Sequence, residues 1–159
     1  MRAVSLQVFE GDLLLCDTLD GGDIAISNGF IVSDRTFNTA IYLSLFGGNQ
    51  EDNGRVRNSK TWWGNTLRGV NENQKLVSRF QAIIFGLPMT TKNILKADEA
   101  AKLDLAWLID EGFADEITTD GRAAGHNRLS LKVQLKAGGE IIYTHTFLTP
   151  WGAGKHGAI

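Results

Sequence analysis

Cysteine is what this sequence most clearly lacks, because Cys16 is the only one among 159 residues. An internal disulfide framework is therefore excluded, and a structural zinc site is disfavoured because the three histidines are dispersed. No run of about 18 apolar residues occurs, and acidic residues interrupt the N-terminal stretch before a signal peptide is complete. The sequence therefore predicts folding in a reducing cytoplasm, without a membrane segment.

The chain also lacks an excess of either charge, since 16 basic side chains stand against 18 acidic ones and the net charge is −2. Such a balance does not favour the whole surface as a binding site for nucleic acid or an anionic membrane. Apolar residues at 43% and charged residues at 21% are typical of a globular chain. We expect a single domain over residues 1–159, with a mobile tail from about residue 150.

Motifs for catalysis, cofactors and metals are missing as well. No G-x-S-x-G, H-E-x-x-H or glycine-rich phosphate loop occurs, and the aspartates near residue 20 lack the spacing of a calcium loop. The carboxylates that could serve hydrolysis are Asp98, Glu99, Asp104, Asp110, Glu111, Asp115 and Glu116. No feature of the sequence distinguishes one of them as a catalytic acid and another as its partner. We therefore predict no catalytic, cofactor-binding or metal-binding residues.

The elements that are present favour an α+β fold with helices packed on a mostly antiparallel sheet. Helical periodicity predicts helices at 36–46, 76–85 and 92–111. The LDGGD turn at 19–23 separates two short apolar runs and predicts a hairpin, and residues 116–119 suit a further strand.

A C-terminal β-hairpin is the clearest strand signal. Leucine and valine alternate with serine, lysine and glutamine over 129–136, which is typical of a strand with one buried face. The AGGE turn then leads into a second strand at 141–148. Two registers remain open because both faces of the second strand carry apolar groups, namely Leu135 opposite Ile142 and Val133 opposite Tyr143.

Residues 47–74 form a predicted long loop that is rich in glycine and contains the adjacent Trp62 and Trp63. Loops longer than about 12–15 residues in compact domains are usually functional or disordered. The surrounding basic residues allow a stacking platform for single-stranded nucleic acid, whereas a tryptophan pair more often fills a core or anchors a protein interface. The favoured interpretation is packing or a protein interface.

Four segments together resemble the small baseplate wedge protein of Mu-like contractile-tailed phages. They are TAIYLSLFGGN at 39–49, WWGN at 62–65, SRFQAIIFGLP at 78–88 and DLAWLIDEGFADEI at 104–117. The resemblance runs in order over about residues 10–145. It extends to the lysozyme-like baseplate wedge family, which is related to type VI secretion baseplate subunits.

The resemblance implies a structural subunit of a phage tail or phage-derived tailocin, present in six copies per baseplate. Its expected partners are the larger wedge proteins, the tail sheath protein that assembles on it and the central hub or tube proteins, with no nucleic acid and no membrane. The relatives carry a Glu-Pro-Arg motif that contacts the larger wedge proteins. This chain has Asp115, Glu116 and Ile117 at that place, so the same contact does not follow from the sequence.

The predicted interface combines the resemblance with the strand pattern. The C-terminal hairpin, with strands near 129–136 and 141–148, is predicted to lie at or next to the sheet edge used by the sheath. The backbone groups of its first strand are available to a neighbour if no strand of the chain covers them. The interface residues are Phe46, Trp62, Trp63, Gly64, Asn65, Asp115, Glu116, Lys132 and Gln134. A peptidoglycan hydrolase and a single-stranded nucleic-acid-binding module are the alternative functions, and the predicted location is the tail baseplate of a virion.

Overall fold

A computed structural model of the chain describes residues 12–18, 21–34, 36–47, 69 and 76–152. The chain forms two compact units, residues 1–40 and 41–159. That the whole of 1–159 acts as one domain stays a prediction.

The first unit contains short antiparallel strand pairs. Strands β1 to β6 span Asp12–Leu13, Leu15–Thr18, Gly21–Ile24, Ile26–Ser27, Phe30–Ile31 and Ser33–Asp34. β2 pairs with β3, which confirms the predicted hairpin, while β4 pairs with β5 and β1 with β6. Asn28 and Gly29 have φ angles of 52° and 79°, so they form the kind of two-residue turn that matches the twist of its flanking strands.

The helices are α1 (Asn38–Phe46), α2 (Arg79–Gly86), α3 (Thr91–Leu105) and α4 (Trp107–Asp110). Ser78 and Thr90 cap α2 and α3, since their hydroxyls accept the N–H groups of Gln81 and Asn93 at 3.0 and 3.2 Å. The prediction of one continuous helix over 92–111 is wrong. The Ala106 N–H bonds three residues back to the Leu103 carbonyl, so the turn tightens there and α4 begins separately.

The second unit also contains one antiparallel sheet in the order β7-β8-β9. These strands span Glu116–Ala123, Arg128–Ala137 and Glu140–Pro150, which confirms the α+β class and the C-terminal hairpin. The alternation of apolar and polar residues in β8 gives the strand one buried face, as predicted. Its buried side chains all lie on the face that packs against the helices, and they are Leu129, Leu131, Val133 and Leu135.

The register of the β8–β9 hairpin differs from both predicted alternatives. Leu135 pairs with Tyr143, and a bulge between Leu135 and Lys136 then shifts the register so that Lys136 pairs with Ile141. The bulge gives Ile142 no direct partner, leaving it 44% exposed while Tyr143 is only 7% exposed. One extra residue in β9 therefore allows the larger, aromatic side chain to be the buried one.

The core of the second unit lies between the helices and the inner face of the sheet. Ser78, which is fully buried, donates its hydroxyl to the Leu45 carbonyl and thereby joins the end of α1 to the start of α2. The Thr119 hydroxyl of β7 donates to the Asp98 carbonyl of α3 at 3.3 Å. The large side chains that are completely buried around these links include Ile41, Leu45, Phe80, Ile84, Leu105 and Leu108.

The first residues of the predicted mobile tail are held by the folded unit. Trp151 is 4% exposed, and its indole N–H donates to the Leu87 carbonyl at 2.6 Å. The Gly152 N–H donates to the Ile84 carbonyl at 2.7 Å. Residues 150–152 therefore belong to the folded unit, because the tryptophan ring and these two hydrogen bonds attach them to the end of α2, and the remainder of the predicted tail lies outside the described residues.

Candidate interface along the sheet edge

The outer edge of β9 carries the candidate site. The Trp151 N–H donates to the Asn127 carbonyl at 2.7 Å, so this is a hydrogen-bonded pair of the antiparallel ladder. Hydrogen-bonded pairs recur at every second residue, and the intervening residues of β9 therefore direct their N–H and C=O groups away from β8. The outward residues are Thr144, Thr146 and Leu148, and no described strand pairs with them.

Two features limit this outward stretch. At one end the bulge at Ile142 interrupts the regular ladder. At the other end Pro150 also falls on the outward side but has no N–H to donate. The regular part therefore covers residues 144–148, which at about 3.4 Å per residue is long enough for a short incoming strand.

The strand that contains Lys132 and Gln134 lies in the middle of the sheet. β7 extends to Ala123 and pairs along the length of β8, so a strand of the chain covers the backbone groups of residues 129–136, and the second strand of the predicted hairpin, β9, lies at the edge among the described strands. Lys132 lies between Asp120 and Thr146 on the neighbouring strands. Its exposed side chain, and the half-buried one of Gln134, project from the outer face one strand away from the free edge.

Aromatic rings follow the inner face of β9. The rings of His145 and Phe147 meet edge to face at 4.6 Å between centroids, and His145 is exposed. Phe46 lies 5.9 Å from Phe147 and 5.5 Å from Phe80, measured between ring centroids. Phe46, which the sequence places in the interface, therefore packs between α2 and β9 and supports the inner side of the edge.

Asp115 and Glu116 stabilise the same hairpin from within the chain. Asp115 Oδ2 accepts the Gly138 N–H of the β8–β9 turn at 2.6 Å. Glu116 Oε1 pairs with the Lys136 ammonium at 2.9 Å across neighbouring strands, although both side chains are exposed enough to make that pair weak. Both carboxylates of this predicted contact therefore have partners within their own chain.

Asp104 is the one candidate acid that is deeply buried. Its Oδ2 accepts the Phe80 N–H at 2.8 Å, and its Oδ1 accepts a hydrogen bond from the half-exposed Arg79 guanidinium at 3.0 Å. The carboxylate therefore satisfies N–H groups in the first turn of α2 and joins α2 to α3. Burial raises the pKa of Asp104 above its ordinary value of 3.8, and hydrogen bonds from the Phe80 and Arg79 backbone oppose that shift.

The raised pKa of Asp104 predicts a pH-dependent contribution to stability. Because the folded state holds the proton more tightly than the unfolded chain, this contribution is complete below pH 3.8 and decreases as pH rises through the folded pKa. We expect the unfolding free energy of the parent chain minus that of Asp104→Asn to fall over this range and then level off. Urea unfolding of both proteins at a series of pH values measures the difference, and a difference that rises with pH contradicts the account.

Several of the candidate acids have partners within the chain. Asp98 pairs with Lys102 at 3.5 Å on the same helix, while Asp104, Asp115 and Glu116 have the structural partners given above. No described group of three or more histidine, cysteine, aspartate or glutamate side chains is arranged to hold a metal ion.

The predicted interface residues Trp62, Trp63, Gly64 and Asn65 lie outside the described residues. Sequence reasoning missed the outward residues of β9, because their exposure follows from the order of three strands. The alternation in β8 is visible in the sequence. The full length of β7, which pairs along one side of β8, is not.

A scan against protein-family models and a search of curated proteins found no match to this chain. None of the described helices has the length and hydropathy needed to span a membrane.

Proposed function

We propose that the chain is a structural baseplate wedge subunit of a contractile phage tail or a phage-derived tailocin. In this role it joins the larger wedge proteins and starts sheath assembly. The observation that carries the proposal is the outer edge of β9, where Thr144, Thr146 and Leu148 direct backbone donors and acceptors away from the sheet. The resemblance to the wedge family supplies the biological setting.

A free sheet edge is suited to binding because its backbone groups require hydrogen-bonding partners. Folded proteins usually protect such edges with charges, prolines, bulges or covering segments. Here the bulge and Pro150 stand at the two ends, and residues 144–148 between them contain no lysine, glutamate or proline. An extended segment of another protein can therefore add to β9 through main-chain hydrogen bonds, with side chains on alternate faces providing specificity.

A scaffold function also agrees with the state of the candidate acids. A retaining or inverting glycosidase needs one carboxyl group to act as an acid and a second, about 5–10 Å away, to act as nucleophile or base. Asp104 accepts a hydrogen bond from the backbone at the start of α2. Asp115 and Glu116 accept hydrogen bonds from the turn and the first strand of the hairpin. These residues stabilise the fold that presents the edge, and hydrolysis has no comparable geometric support.

We expect the purified chain to produce no clearing on a zymogram of bacterial cell walls. The variants Glu99→Gln, Asp104→Asn, Glu111→Gln and Glu116→Gln should be indistinguishable from the parent in that assay, because Asp104 and Glu116 have structural partners and Glu99 and Glu111 are exposed to solvent. A phage lysozyme provides the positive control. Reproducible lysis by the parent that disappears in one of these variants would overturn the scaffold proposal.

Co-expression with the wedge and sheath proteins of a contractile tail tests the proposed function directly. A tagged chain should copurify with the larger wedge proteins and with the sheath protein, and the particles should contain six copies of the chain per baseplate. A tagged protein of similar size from outside the tail serves as the control. If neither wedge nor sheath proteins are retained under conditions in which the chain is folded, the proposal is wrong.

A further inference from the structure

The free edge has two chemically different faces. On the outer face, the side chain of Thr146 lies directly beside that of Lys132 on β8. The carboxylate across the sheet, Asp120, is already held by Arg122 through two hydrogen bonds at 2.7 and 3.0 Å. Lys132 is exposed and forms no ion pair or hydrogen bond with any described residue. Its ammonium is therefore the charge that an added strand would meet on this face.

The inner face at the same edge is aromatic. His145 is exposed, and Phe147 is half-buried against Phe46. A strand added to β9 would place every second side chain beside these two rings. Apolar β-branched or aromatic residues suit those positions, because cross-strand pairs of aromatic and β-branched side chains stabilise antiparallel sheets.

We propose that the edge accepts a short strand of the sheath protein in which apolar residues alternate with polar ones, with an acidic residue opposite Thr146. This inference rests on the proposed function and specifies the partner's chemistry. The added strand lies two strand spacings, roughly 10 Å, from β8. An extended lysine and an extended glutamate side chain together span that distance across the intervening Thr146. The Lys132 side chain therefore favours an acidic strand, although the backbone of Lys132 does not hydrogen-bond to that strand.

The length of the partner segment follows from the two ends of the edge. Between the bulge at Ile142 and the missing N–H of Pro150, the outward residues are Thr144, Thr146 and Leu148. A strand that fills this space aligns its central outer-face residue with Thr146. The selectivity of Lys132 for an acidic residue at that position should be about two- to fivefold in affinity, which is the range of a solvent-exposed ion pair.

Two fluorescein-labelled peptides test the inference with the full chain. One is Val-Thr-Val-Glu-Val-Thr-Val, and the other has lysine in place of the glutamate. Fluorescence anisotropy should show the glutamate peptide binding about two- to fivefold more tightly. Lys132→Glu should reverse that order, whereas the matched charge reversal Lys92→Glu, on the exposed first turn of α3, should leave it unchanged. Thr146→Pro should abolish binding of both peptides.

Equal affinities, a failure of either peptide to bind, or an order that Lys132→Glu does not reverse would overturn the inference. The peptide-binding experiment and the copurification experiment can fail independently of each other. Capture of sheath by the parent chain together with equal peptide affinities contradicts only the acidic-strand specificity. Reversal of the peptide order without any capture of wedge or sheath proteins contradicts the proposed function and supports the specificity of the edge.

Discussion

Replacing Thr146 with proline is expected to abolish sheath attachment while the chain remains folded. The Thr146 N–H points away from β8, so its removal breaks no bond within the sheet. It removes the central donor of the free edge, and the proline ring fills the place where an added strand would lie. Copurification of sheath measures the effect, and circular dichroism with thermal unfolding confirms that the variant is folded.

Two further variants separate this effect from general damage to the strand. Thr146→Val keeps the backbone N–H and the β-branched shape, so sheath attachment should be retained. His145→Pro removes an N–H that faces β8 and should therefore destabilise the sheet itself. Normal sheath attachment by folded Thr146→Pro would show that the β9 edge is not the binding site.

Replacing Trp151 with alanine is expected to lower the free energy of unfolding by about 3–5 kcal/mol, as for other buried aromatic truncations. The indole ring is almost completely buried, and its N–H donates to the Leu87 carbonyl at 2.6 Å. Both the packing and that hydrogen bond are lost in the variant. Since Trp151 directly follows Pro150, the end of β9 should also become less protected against amide hydrogen exchange.

The control for this prediction is Trp151→Phe, which retains most of the apolar ring but not the indole donor. It should lose about 0.5–1.5 kcal/mol, the net contribution of one hydrogen bond, in addition to any small packing change. Urea unfolding measures all three proteins. A loss below about 1 kcal/mol for Trp151→Ala would contradict the anchoring role.

The helices and the C-terminal hairpin were predictable because their signals are local. Alternating side chains locate β8 within one residue at each end, and Ser78 and Thr90 precede α2 and α3 as capping residues. The hairpin register was not predictable. Ile142 and Tyr143 are both apolar, and the bulge that buries one and exposes the other depends on the fit of the ring against the rest of the unit.

The candidate interface required the order of the strands. Lys132 and Gln134 lie on the strand next to the edge, because β7 covers the other side of β8 and leaves β9 outermost among the described strands. The polar alternation of β7 is weak, with Thr119 as its only buried side chain, so its full length was not visible in the sequence. The partners of Asp104 were hidden for a similar reason, since Arg79 and Phe80 are distant in sequence.

The most direct measurement is a cryo-electron microscopy structure of an assembled baseplate with its first sheath ring. The account predicts a sheath strand hydrogen-bonded to the outer edge of β9 along residues 144–148, with an acidic side chain next to Lys132. A structure in which this edge is paired by another segment of the same chain, while the sheath attaches elsewhere, would contradict the central claim.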